Sequence, residues 1–220
     1  YTQKLAMAKA GEVITIQMED LVPEVTLEEL EKEYFSDVLA SYDSPHTANA
    51  ARTKNLELAC KAIDGTILNP GDEFSFNKIV GERTKEKGYL AAIVYTDGGK
   101  SESQEGGGIC QVASTIYTCT LLADLEVTER APHMYLVTYV EPGMDATIYW
   151  PSLDYKFKNS TDMPLRVDAS VSGGYVHIKL VGTKQEHDYD HIKLRGVYAS
   201  STAWKTVAEI NGKKTEITIA

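Results

Sequence analysis

Cys110 closes the run Gly106-Gly107-Gly108-Ile109-Cys110 and opens a segment with helical periodicity. At the first turn of a helix the backbone amides and the dipole favour thiolate over thiol, and glycines ahead of it let a substrate backbone approach closely. That combination suits nucleophilic attack on a carbonyl. The competing reading is a small core residue after a turn, since free cysteine is among the most buried types. The following residues weigh against it. Val112, Ile116, Cys119 and Ala123 recur at helical spacing and define an apolar face, with Cys110 at its open end and Cys119 within it. Cys60 shares another stripe with Leu56, Ala59 and Ile63 and reads as packing. Around the thiol, Gly107, Gly108 and Gln111 are candidate substrate-binding residues, with the amides of Gly108 to Gln111 as donors to an oxyanion.

A thiolate needs a base, and the chain offers His46, His133, His177, His187 and His191. His133 follows Pro132 at the mouth of the first strand expected after the cysteine helix, which gives it a defined relation to Cys110. His187 and His191 are the one closely spaced metal-ligand pair, and they lie in a polar tail, so neither a metal nor any other cofactor is expected. An orienting carboxylate would come from Asp145 or Asp154. If Met134 to Val140 and Ala146 to Trp150 form a simple hairpin, His133 pairs near Pro151, Asp154 is close, and Asp145 is about 20 Å away at roughly 3.3 Å per residue. That register favours Asp154. The chain order Cys, His, polar residue is the order of papain-like and NlpC-type thiol enzymes, an analogy of order rather than of local sequence.

The expected fold is α+β. Thr26 and Glu29 form a capping box opening a helix to about Leu39 that buries Leu30, Tyr34 and Val38, and a second helix runs from about Asn49 to Ile63. Short strands are expected at Thr66 to Leu68, Glu73 to Asn77 and Ala91 to Tyr95, with a turn at Asp97 to Gly99 before the glycine run. After the cysteine helix the pattern becomes an antiparallel meander: Met134 to Val140, Ala146 to Trp150, Tyr155 to Asn159, Leu165 to Val171 and Tyr175 to Val181, with the helices packed on one face. Residues 1–22, with a strand-like Glu12 to Met18, read as the end of a preceding domain or a linker strand. Residues 23–183 read as the catalytic domain. Residues 184–220 read as a C-terminal β accessory element, with a hairpin at Asn211-Gly212.

With 220 residues, 43% of them hydrophobic and 25% charged, the chain can bury a substantial core. Its net charge of −10 argues against a nucleic acid partner, because a polyanion is repelled. No run of about 18 apolar residues is present, so any membrane attachment is expected to come from an upstream anchor outside this sequence.

Several motifs in order carry a resemblance: Pro70-Gly-Asp-Glu-Phe-Ser-Phe-Asn77, Val80-Gly-Glu-Arg83, Gly88-Tyr89, Gly106 to Gln111, Pro132-His133, Gly143 to Thr147, Leu153-Asp154 and Phe157-Lys-Asn159. Together, over about Pro23 to Thr183, they resemble the VanW family. The resemblance implies a bacterial protein of the cell envelope, extracellular and often anchored by an upstream membrane helix. It also implies peptidoglycan L,D-transpeptidase activity with Cys110 as nucleophile and His133 as base, peptidoglycan stem peptides being donor and acceptor. Arg83 is a candidate to pair with a stem carboxylate, and Tyr89 to line the cleft. Two other functions fit the residues: a cysteine peptidase or amidase, which resolves the same acyl-enzyme with water, and a non-catalytic wall-binding module in which the glycine run cradles a ligand.

Overall fold

The computed structural model describes Met7, Lys9 and residues 25–96, 100–185, 192–200, 203–210 and 213–217. The strand expected at Glu12 to Met18, the turn at Asp97 to Gly99, His187, His191 and the Asn211-Gly212 turn lie outside the described residues.

Helix α1 (Leu27–Tyr34) begins as its capping box requires: Thr26 Oγ1 accepts from the Glu29 amide at 3.2 Å and the Glu29 carboxylate accepts from the Thr26 amide at 2.8 Å. It does not reach Leu39, and none of its residues is buried. From Asp37 the chain becomes β1 (Asp37–Pro45), which runs antiparallel to β9 (Tyr175–Gly182) from Asp37 opposite Gly182 to Pro45 opposite Tyr175. A ladder of that length satisfies backbone groups that a longer exposed helix would have to satisfy alone, so tertiary pairing overrides local propensity.

Asn49 caps α2 (Ala50–Ile63), accepting from the Arg52 amide at 3.0 Å, and Leu56, Ala59, Cys60 and Ile63 face inward as their spacing predicts. Then come β2 (Thr66–Leu68) and β3 (Glu73–Ser75). The strand expected to reach Asn77 stops two residues early, because the Ser75 hydroxyl accepts from the Lys78 amide and caps a short α3 (Phe76–Val80). A hairpin of β4 (Ala91–Thr96) and β5 (Lys100–Glu105) leads to α4 (Cys110–Leu122). The rest is β6 (Glu126–Glu129), β7 (Lys156–Lys158), β8 (Leu165–Ser172), β9, and then β10 (Ile192–Ser200), β11 (Ala203–Ile210) and β12 (Lys213–Ile217).

The fold is α+β with antiparallel sheets. The main sheet has the order β1-β9-β8-β2, a second has β3-β7-β6, and β10-β11-β12 form a third. Helix α2 packs on β8, and α4 packs on β1 and β9. The other side of α4 is also covered, so every residue from Gln111 to Leu121 is buried. Its hydroxyls are satisfied inside the helix: Ser114, Thr115, Thr118 and Thr120 each donate to the carbonyl four residues back.

The meander differs from the expectation at its start. Met134 to Val140 and Ala146 to Trp150 are not strands; the region holds only the isolated bridges Ala131 with Thr147 and Tyr149 with Leu153. The physical reason is where the backbone bonds go. The His133 amide donates to the Asp145 carboxylate, and the Ala146 amide donates to the Ser114 hydroxyl of α4. Side chains take the donors that a ladder would have used.

Phe157 on β7 is fully buried and stacks on Phe74 of β3 with ring centroids 4.9 Å apart, holding the second sheet to the core. Phe157→Ala is expected to cost about 3–5 kcal/mol in denaturant unfolding, and a loss below about 1 kcal/mol would mean that this stack carries little of the fold.

Candidate active site

Cys110 is the first residue of α4 and is half-buried, its sulfur 3.5 Å from the Ile148 carbonyl oxygen. His133 favours its thiolate electrostatically. The other side of the imidazole is fixed, since Nδ1 lies 2.7 Å from Asp145 Oδ2, which also accepts from the His133 amide at 2.6 Å. That leaves Nε2 for the sulfur. Asp145 Oδ1 in turn accepts from Arg130 Nη2 at 3.2 Å, and Arg130 Nε donates to the Asp145 carbonyl at 2.7 Å. The Arg130 guanidinium lies 5.2 Å from the centre of the Tyr117 ring of α4.

The elements explain the convergence. Ser114, one turn after Cys110, donates to the Cys110 carbonyl at 2.8 Å and accepts from the Ala146 amide at 2.9 Å. This pins the segment after Asp145 alongside the start of α4, so Asp145 faces back to His133 and Ile148 reaches Cys110. The simple-hairpin register, which put Asp145 far away, is therefore corrected. Asp154 is not at the histidine. Its carboxylate accepts from Ser75 Oγ at 2.6 Å, and from the amides of Asn77 and Tyr155 at 2.8 Å each.

The glycines play a different part from the expected one. A Cβ on Gly107 would collide with the Ala92 carbonyl, and the Gly107 carbonyl accepts from Asn55 Nδ2 at 3.0 Å. Gly108 has φ +102° and presses on the Arg52 guanidinium. Both are in close contact with the protein itself, where a side chain would not fit without a shift. Gln111 is fully buried, donating to Ser44 Oγ at 2.9 Å and the Pro45 carbonyl at 2.9 Å and accepting from Arg52 Nη2 at 2.7 Å, so its side chain straps α4 to β1 and does not face a ligand. Tyr89 is also buried, in the core cluster. Arg83 is half-buried and donates to Asn77 Oδ1 at 2.7 Å.

Electrostatics separates the three cysteines. Burial works against a Cys110 thiolate, but the interaction with His133 and its charge, together with the Arg83 charge, outweigh it and lower the thiol below its ordinary value. Burial pushes Cys60 up to about 12 and Cys119 higher still. At His133, burial favours the neutral ring, yet the hydrogen bonds to Asp145 and Cys110 raise it to about 9. Burial likewise opposes charge on Asp145, and the His133 bonds with the Arg130 charge overcome it and hold the carboxyl low. These shifts favour a thiolate and imidazolium pair backed by a carboxylate.

Arg130, Ser114 and Tyr139 belong to the site and carried no sequence signal; the Tyr139 ring meets the His133 ring edge-on at 6.4 Å. His46 bonds the Thr47 carbonyl, and His177 lies 2.9 Å from Asp43, both outside the site. Among the described residues no cluster of three side chains could hold a metal ion.

Comparison with known proteins agrees with the sequence motifs. The family model described as VanW like protein matches residues 51–181, and the chain belongs to the VanW family. It is 41% identical over 135 residues to the uncharacterized protein YoaR of Bacillus subtilis (strain 168), a span covering 61% of this chain and 44% of that protein. It is 31% identical over 119 residues to the vancomycin B-type resistance protein VanW of Enterococcus faecalis (strain ATCC 700802 / V583), covering 51% and 42% of the two. The chain thus spans less than half the length of these relatives. No solved structure matches it.

In the native protein Cys110 is expected to alkylate with iodoacetamide at neutral pH while Cys60 and Cys119 react only in denaturant. The rate should fall as pH drops through the lowered thiol value, and His133→Ala should move that midpoint upward by about 1–3 units. An unchanged midpoint in the variant would show that His133 does not support the thiolate.

Proposed function

We propose that this member of the VanW family is a cysteine-dependent acyltransferase of the bacterial cell envelope, an L,D-transpeptidase acting on peptidoglycan stem peptides. The observation that carries the reading is the His133 ring held by Asp145 at 2.7 Å, with its charge favouring a Cys110 thiolate at the start of α4. The resistance protein's name, which refers to vancomycin, and the motif resemblance support the cell-wall context. In this reading the catalytic unit is residues 23–183; among the described residues no helix is long and apolar enough to cross a membrane.

The reaction follows from the groups in place. Cys110 Sγ attacks the carbonyl carbon linking the third residue of a donor tetrapeptide to its terminal D-Ala. The carbon–nitrogen bond breaks, and His133 Nε2 gives its proton to the departing amine, leaving a thioester. An amine of a neighbouring stem then attacks the thioester, His133 takes back a proton, and the carbon–sulfur bond breaks to restore the thiolate. In the tetrahedral intermediate the negative oxygen needs fixed donors. The Ile109 and Gln111 amides donate to the Gly106 and Gly108 carbonyls, which leaves the Gly108 and Cys110 amides as the donors. Asp145 orients the ring and favours imidazolium, as the carboxylate does in serine and cysteine enzymes of the Cys, His, polar order.

Incubating the purified protein with muropeptides tests this by mass spectrometry. A Cys110 thioester and acceptor-dependent cross-linked dimers are expected, and Cys110→Ala should form neither. Stem cleavage without dimers would instead make the protein a peptidase, and no thioester with any stem would overturn the reading.

The pH profile separates the two aspartates. Acylation needs thiolate and imidazolium together, so its alkaline limb lies near the His133 value of about 9 and its acid limb at the lowered Cys110 value. Asp145→Asn should move the alkaline limb down towards the ordinary 6.5 and slow acylation by about 10- to 10⁴-fold. Asp154→Asn should leave that limb in place, and the reverse ranking would remove Asp145 from the relay.

A further inference from the structure

Arg83 is the other cation beside the thiolate, and it is incompletely used. One arm is held: Nη2 donates to Asn77 Oδ1 at 2.7 Å, and the guanidinium lies 5.8 Å from the centre of the Phe76 ring. Nη1 is buried and has no hydrogen-bond partner. Among the described residues no carboxylate pairs with Arg83. A buried guanidinium donor without an acceptor is costly to keep, which makes it informative where it persists.

The arm is held in place from two sides. Asn77 is itself fixed, its amide donating to Asp154 Oδ1 at 2.8 Å and its Nδ2 to the Leu153 carbonyl at 2.7 Å. Asp154, further bonded to Ser75 and the Tyr155 amide, therefore anchors the asparagine that holds the arginine. On the other side the arginine stem lies against Gly106, where a Cβ would come within 2.8 Å of Arg83 Cβ. Gly106 belongs to the turn that delivers Cys110, so nucleophile and cation share one rigid mount. The Arg83 charge also reaches the Cys110 sulfur.

We infer that Arg83 is a receptor for the free carboxylate of the donor stem, one residue beyond the bond that Cys110 attacks. The inference rests on the stem-peptide reading above and adds to it the group that measures the donor. A terminal D-amino acid supplies a planar anion at a fixed distance from the scissile carbonyl, and a guanidinium is suited to accept it. A stem that is longer, or whose terminus is amidated, leaves Nη1 unpaired and is disfavoured. Asp154 and Asn77 are positioning residues for this arm.

The test uses the full chain with Cys110→Ala, which cannot react, and measures binding by calorimetry. The probes are the tetrapeptide L-Ala-γ-D-Glu-L-Lys-D-Ala and its C-terminal carboxamide. The acid is expected to bind about tenfold or more tightly than the amide. Adding Arg83→Gln should bring the two within about twofold, and Arg83→Lys, which keeps the charge without the fork, should retain only part of the preference. The lysine variant reads the same contrast should the glutamine variant not fold. Equal binding of acid and amide with Arg83 present overturns the inference and leaves the stem-peptide reading standing, as does a preference that survives both substitutions. Failure of either peptide to bind overturns the stem-peptide reading together with it.

Discussion

A buried carboxylate must find donors for both oxygens, and Asp145 finds them in the loop that it closes. Oδ2 takes the ring and the backbone amide of His133, and Oδ1 takes Arg130. Three donors thereby fix where His133 is, which way its ring faces, and that its Nδ1 is occupied. The segment between them needs no ladder, because its ends are already tied. The charge is kept ionised by the same bonds, since a carboxylate with this many donors is stabilised against its own burial. Catalytic orientation and loop architecture are thus one set of hydrogen bonds, and weakening it for either purpose affects the other.

Asp154 shows the same device on the opposite flank of the cysteine. It gathers Ser75, Asn77 and the Tyr155 amide at the junction of β3, α3 and β7. Asn77 passes its orientation to Arg83. Two acidic groups therefore organise two cations, His133 and Arg83, whose charges both favour the Cys110 thiolate. The helix start adds its dipole to them. These sources of positive potential favour a Cys110 thiolate against its burial, whereas burial without a neighbouring cation pushes the Cys60 and Cys119 thiols up.

The helices were legible because their signals are local. Thr26 and Glu29 cap α1, Asn49 caps α2, and the stripes of Leu56 to Ile63 and Val112 to Cys119 read the core faces directly. The place of Cys110 was legible for the same reason, as a cysteine after a glycine turn at a helix start. What escaped was decided at long range. β1 forms because β9, more than a hundred residues away, offers a ladder. Met134 to Val140 carries strand-forming residues but forms no strand, the amide of His133 just before it being bound by the Asp145 carboxylate. The choice between Asp145 and Asp154 could not be made from spacing, because it depends on a hydroxyl of α4, Ser114, that draws Ala146 to the helix.

The glycine run shows how a local signal can point to the right residue for a different reason. Glycines ahead of a nucleophile suggest room for a ligand, but here Gly106, Gly107 and Gly108 are pressed against Arg83, the Ala92 backbone and Arg52. Side chains at those positions would drive the turn off β4 and off the two arginines. The run is small so that the turn can close tightly on Arg83, the Ala92 backbone and Arg52. Beside this turn Arg83 keeps its Nη1 without a hydrogen-bond partner, and His133 has its Nδ1 bound to Asp145. Tight packing of the glycine turn and a spare guanidinium donor beside it are two consequences of the same close contact between Gly106 and the Arg83 stem.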